Sequence, residues 1–160
     1  MTHHMVPAIP RDWMAACRNV FLIRHPARVI ASYVRKMDDI SLQAIGFPQQ
    51  LSLFEYAKAI EGQVPLVIDS TDILNDPSTM MSSLCSALGL DWRAEMLVWE
   101  TGAKPEDGAW APHWYDAVWR SSGFGPRPGP LPPLDRDLGG LHQEALEIYE
   151  HLAAHKLAPL

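Results

Sequence analysis

The stretch Asn19–Lys36 reads NVFLIRHPARVIASYVRK, and its order of residue types decides the fold class. Val20 to Ile23 is an unbroken apolar run rich in branched and aromatic side chains, the composition of a strand buried in a parallel sheet. Arg24, His25 and Pro26 end the run. Proline at a first helical position has its φ already set and gives up no hydrogen bond there. A helix is therefore predicted from Ala27 onward, with Val29, Ile30 and Tyr33 at core spacing. In open α/β sheets ligands sit beyond the carboxyl ends of the strands, which is where Arg24 falls. A helix N-terminus offers amides and partial positive charge, arginine offers a planar fork, and Ser32 adds a hydroxyl farther along the helix. That set suits a phosphate. It equally describes an ordinary strand-to-helix turn whose arginine pairs with a carboxylate.

Outward from this unit, a length of 160 residues with 48% hydrophobic content is enough for one domain with a real core. The chain carries 13 basic and 19 acidic residues, a net charge of −6. This balance argues against a general nucleic-acid or anionic-membrane surface and leaves room for a local anion site. No stretch approaches membrane-spanning length and the N-terminus has no continuous apolar signal core, so the expected compartment is the cytoplasm. Cys17 and Cys85 lack paired spacing and read as two reduced core thiols rather than a disulfide or zinc site.

Before the organising unit, Arg11 to Cys17 reads as a brief helix. After it, Ser41 to Ile45 is a short helix stopped by Gly46. Leu51, Phe54, Ala57 and Ile60 then keep one apolar face through a helix ending near Gly62. Leu66 to Ile68 is a second short buried strand. Asp69 and Asp72 follow it, and with no phosphate loop beside them they suit helix capping better than magnesium. Asp76 and Pro77 start a helix that runs through Leu88 to a stop at Gly89. Arg93 to Trp99 is another short helix. The aromatic cluster Trp110, His113, Trp114, Tyr115 and Trp119 suits either core packing or a pocket that holds an acceptor or adenine, and Arg120 is a second candidate phosphate contact. Gly123 to Pro133, GFGPRPGPLPP, is expected to be an extended tether, and its Pro130/Pro133 pair hints at an SH3-like partner. A final helix from about Leu138 to His155 places Leu141, Ala145, Ile148 and Leu152 against the sheet. His151 and His155 have the one-turn spacing of a metal pair, but Leu152 stands where HExxH would place glutamate, so no metal is expected.

The string FLIRHPARVIASY resembles the segment of sulfotransferases that holds the 3′-phosphate of PAPS, 3′-phosphoadenosine 5′-phosphosulfate. Arg24, Pro26, Ser32 and Tyr33 match its order and spacing. MTHHMVPAIPRDW before the strand and DGAWAPHWYDAVWRSSGF after it are similar to a bacterial sulfotransferase-like subgroup. The resemblance implies transfer of a sulfuryl group from PAPS to a hydroxyl acceptor, with Arg24 and Ser32 on the 3′-phosphate. It also implies His3 or His4 as the base, a task suited to imidazole because its ordinary pKa of about 6.5 lies near working pH. A disordered terminal pair remains the other reading of these histidines. The likeness of GAWAPHWY to the subgroup marks Trp110 and His113 as substrate-pocket candidates.

Sulfotransferases resemble P-loop kinases, whose first strand feeds a loop that grips the cofactor. The sequence shows no such strand and loop, and no arginine-lysine-glycine phosphate motif. The expected architecture is thus a single α/β domain over residues 1–160. It is a partial P-loop-type three-layer fold with a short parallel sheet and a predominantly helical C-terminal half, lacking its first strand and phosphosulfate loop. Three functions follow: a sulfotransferase or a piece of one, inactive alone; a non-catalytic anion- or partner-binding protein on the same fold; and an interaction module. An uncovered sheet edge would favour self-association.

Overall fold

A computed structural model describes residues 2–109 and 111–159, with the side chains of His3, His113 and Trp114 outside the described set. Single 3-10 turns at Thr2–His4 and Asp12–Ala16 precede β1 (Val20–Ile23), which passes through Arg24 and His25 into α1 (Pro26–Tyr33). There follow α2 (Phe47–Glu61), β2 (Leu66–Asp69), α3 (Ser70–Asn75) and α4 (Pro77–Leu88). The helices α5 (Ala111–Trp114) and α6 (Asp116–Trp119) are one turn each, and α7 (Gly139–Ala153) is the last helix among the described residues. β1 and β2 pair in parallel, with Val20 opposite Leu66 and Ile23 opposite Asp69. The fold is α/β on a short parallel sheet, two-stranded among the described residues. None of the described helices is long and apolar enough to cross a membrane.

The chain divides into two compact units, Met1–Ser70 with Gly129–Ala158, and Thr71–Pro128 with Pro159–Leu160. In the first, Phe21 and Ile23 of β1, Val67 of β2, Leu53, Phe54 and Ala57 of α2, Leu152 of α7 and Met14 form one buried cluster. The period-two alternation of β1 sends Phe21 and Ile23 into this core and leaves Leu22 56% exposed. Phe21 and Phe54 meet edge to face, with ring centroids 5.5 Å apart. Gly62 ends α2 at φ 66°, a conformation that glycine adopts without a Cβ penalty. The outer edge of β2 is taken by the chain beyond α7, where Leu157 N–H donates to the Val67 carbonyl at 2.8 Å. On the outer edge of β1, Gln50 Nε2 donates to the Leu22 carbonyl at 2.9 Å.

The second unit is loop-rich. Asp76 caps α4 by accepting from Thr79 N–H at 3.1 Å, and Met80, Ser83 and Cys85 are its buried residues. Trp99 donates to Ser121 Oγ and packs edge to face on Phe124, while Trp119 donates to Asp107 Oδ2 at 2.7 Å. Asp107 also accepts from Lys104 N–H, and these two bonds, the backbone one first, hold its carboxyl below the usual carboxylate range. Val98 bridges Gly123, where a Cβ would lie 3.0 Å from the Leu97 carbonyl, so any larger residue at this crossing would push the two segments apart by a few tenths of an ångström.

Several expectations from the sequence change. Cys17 is a free thiol but exposed, because the Asp12–Ala16 turn that precedes it is a single 3-10 segment whose one buried residue is Met14. Arg93–Trp99 likewise shortens to a 3-10 turn at Ala94–Leu97. Ile60, placed on the apolar face of α2 by its spacing, is exposed, because it lies on that helix's last turn. Trp110 lies outside the described residues.

Candidate phosphate site

Arg24 leaves the carboxyl end of β1 one residue beyond the pairing of Ile23 with Asp69. Among the described residues no carboxylate pairs with it. Arg24 is an exposed residue; partial desolvation of its charged end first, then the positive charges of Arg28 and Arg35, push its pKa below the ordinary arginine value. Guanidinium stays protonated throughout the physiological range, so the shift measures electrostatic stress rather than a change of charge state. A cation held near other cations is relieved by an anion.

The start of α1 contributes less than its position suggests. Pro26 has no N–H. Ala27 N–H donates to His25 Nδ1 at 3.2 Å, and the N–H groups of Arg28 and Val29 both donate to the His25 carbonyl. The amides that the sequence reading offers to a phosphate are therefore already engaged, and His25 is the residue that engages them. Anion affinity here must come from side chains and from what remains of the helix dipole. Ser32 is half-buried on α1.

Behind Arg24 lies a polar cluster that the sequence reading does not assemble. Asp69, the last residue of β2, is 1% exposed and accepts from the Tyr149 hydroxyl at 2.6 Å. The His25 ring lies 5.3 Å from the Tyr149 ring and 5.9 Å from the His142 ring, centroid to centroid. Burial first, and then the neighbouring His142 and Arg28 charges, lower the His25 pKa against a smaller raising pull from Asp69 and Glu150. His25 is therefore neutral at pH 7. Its Nδ1 accepts from Ala27, which leaves the ring proton on Nε2.

The other predicted residues separate. His4 is exposed and lines a groove of about 600 Å³ alongside Met5, Trp13 and Gln50, with Val20, Phe21 and Leu22 of β1 on the same wall. His3 shares the Thr2–His4 turn, and its side chain lies outside the described set. Arg120 belongs to the second unit, where its guanidinium pairs with Asp116 one turn earlier. His113 sits on α5 with its side chain undescribed. Among the described residues no three His, Cys, Asp or Glu side chains are grouped so as to hold a metal ion.

Comparison with known proteins bears on this arrangement. The sulfotransferase domain family matches residues 1–156. Two Arabidopsis thaliana proteins, named branched-chain-amino-acid aminotransferase-like proteins 1 and 2, are 33% and 32% identical over 152 residues. Each alignment takes in 92% of this chain and 26% of the relative, so the chain spans about a quarter of the length of these curated relatives. No solved structure matches at a significant level. With nearly its whole length under one family description, the chain belongs to the sulfotransferase domain family.

Proposed function

We propose that this chain binds the 3′-phosphate end of PAPS at the β1–α1 junction and that, taken alone, it binds without transferring. The observation that supports the reading is Arg24: an exposed arginine just past the carboxyl end of a parallel strand, its pKa lowered by partial desolvation of its charged end and by Arg28 and Arg35, with no carboxylate paired to it among the described residues. Its charge fits a phosphate, and Ser32 lies two turns along α1 from it. When bound, PAPS supplies the sulfuryl group. The chain's own contribution is to hold the phosphate through the Arg24 fork and, in the enzyme reading, to accept the acceptor hydroxyl's proton at the imidazole of His4 or of His3 beside it. The compartment this reading implies is the cytoplasm.

A second reading, an anion-binding protein without catalysis, is favoured by the sequence itself. None of its glycine-rich stretches is fed by a strand in the way a phosphate-cradling loop requires. Group transfer of this type depends chiefly on positioning and on stabilising the charge of the group in flight. Calorimetry with PAP, the desulfated product, together with a PAPS-dependent transfer assay over hydroxyl acceptors, tests both readings. Binding without turnover is expected. Product formation that disappears in the His3→Ala, His4→Ala double variant would establish the enzyme reading instead. Absence of PAP binding at millimolar ligand would remove the site.

A further inference from the structure

Arg28 lies one turn after Arg24 and one turn before Ser32. Positions 28, 32 and 35 follow the i, i+4, i+7 progression that places residues along one stripe of a helix and its continuation. The stripe therefore carries a guanidinium, a hydroxyl and a second guanidinium in succession. Arg35 is turned back onto its own helix, where Nε donates to the Ala31 carbonyl at 2.9 Å. Arg28 is placed differently. One end of its guanidinium donates to the Gly129 carbonyl, 101 positions away in sequence, and its Nε–H is buried with no acceptor among the described residues. A buried charged donor without an acceptor is costly, and an oxyanion is a fitting acceptor for it. The Arg28 charge also acts on both Arg24 and His25, so it stands close to the residue that ends β1 and the residue that opens α1.

The amides at the start of α1 are already engaged, so a phosphate beside Arg24 needs further side-chain donors, and Arg28 has them to spare. A guanidinium carries five N–H donors, of which the Gly129 carbonyl takes one. We infer that Arg28 is a second arm of the anion site, binding a phosphomonoester dianion together with Arg24, and that its hold on the Gly129 carbonyl ties occupancy of the site to the Gly129–Leu134 segment. This rests on the anion reading of Arg24. The segment reads GPLPPL, and its three prolines fix φ and restrict its motion, so a displacement at Gly129 is carried along it rather than absorbed locally.

The test combines calorimetry with amide NMR of the full chain titrated with PAP, for the wild type, Arg28→Gln and Arg28→Lys. The wild type is expected to bind PAP with movement of the Gly129 and Leu131 amide resonances. Arg28→Gln should bind about tenfold more weakly, as loss of one charge-assisted contact implies, with those two resonances unresponsive to ligand. Arg28→Lys keeps the charge without the fork, so it should fall between the two and also serves if the glutamine variant folds poorly. Wild-type affinity in both variants, with Gly129 and Leu131 unmoved on titration, would overturn the inference and leave the Arg24 site standing. Failure of the wild type to bind PAP would remove the Arg24 site and this inference together.

Discussion

Arg24 and Arg120 are the same residue in two different electrostatic settings. Arg120 follows α6 with Asp116 one turn behind it, and the two side chains form an ion pair while each stays more than two-thirds exposed. Arg24 follows β1 with Arg28 and Arg35 as its charged influences. An anion arriving at Arg120 must compete with a carboxylate already in place, whereas an anion arriving at Arg24 relieves cation–cation repulsion. Residue type alone makes both arginines phosphate candidates. Their neighbours rank them. The sharpest expression of that ranking is in PAP affinity: Arg24→Ala should remove a charge-assisted contact of about 1.5–3 kcal/mol, a loss of tenfold or more. Arg120→Ala should leave affinity within about twofold. Calorimetry on the two variants decides it, and equal losses would break the distinction.

The polar cluster behind Arg24 gives a second, smaller contrast, since nothing comparable surrounds Arg120 among the described residues. Folding lowers the His25 pKa from its ordinary 6.5. The unfolded chain therefore takes up a proton at His25 more readily than the folded one, and stability must fall as the pH drops. The contribution is fully present above about pH 6.5 and is lost as the pH descends toward and through the lowered folded value. The groups that face His25 are His142, Tyr149 and Glu150 on α7, Asp69 at the end of β2, and Arg28 on α1. The ring is only half-buried, so solvent screening keeps the loss attributable to it small. Thermal melts between pH 8 and pH 5 should show a steeper decline for the wild type than for His25→Asn, a substitution that keeps an N-cap acceptor and removes the titration. Parallel curves would assign the acid sensitivity to another group.

How much of this was legible in the sequence depends on how far apart the interacting residues lie. Val20 to Ile23, Pro26 and the spacing of Ile30 announce β1 and α1 because strand and helix periodicities are local. Gly62 and Gly89 mark helix ends for the same reason, and Ala145 and Leu152 mark the buried face of α7. The amide engagement at α1 is written in the sequence, since a histidine at an N-cap position is itself an acceptor, although the strand–Arg–x–Pro pattern points first to the charge. The pairing of Tyr149 with Asp69 spans 80 positions and that of Arg28 with Gly129 spans 101. No period or motif links residues so distant, and only the return of α7 over the sheet creates the first contact. Burial of a thiol is a tendency of its type, so the sequence points Cys17 inward, whereas a single 3-10 turn leaves it exposed.

The contrast between the two arginines can also be approached from the weaker side. Asp116→Asn leaves Arg120 charged and removes its carboxylate. An exposed i, i+4 ion pair contributes about 0.3–0.5 kcal/mol, so the melting temperature should barely move. If an uncompensated charge were all that a phosphate site needed, Asp116→Asn would create one. The expectation is otherwise. Arg120 is exposed, as Arg24 is, but the residues described around it add no second guanidinium on a helical stripe such as Arg28 provides near Arg24, so water and salt screen its charge. Titrating Asp116→Asn with inorganic phosphate at low salt, and following the Arg120 side-chain NMR signal, should show a shift that disappears at physiological ionic strength. A salt-resistant site at Arg120 as strong as the one at Arg24 would mean that the clustering of guanidinium groups contributes nothing. The case for the β1–α1 junction would then rest on the family resemblance alone.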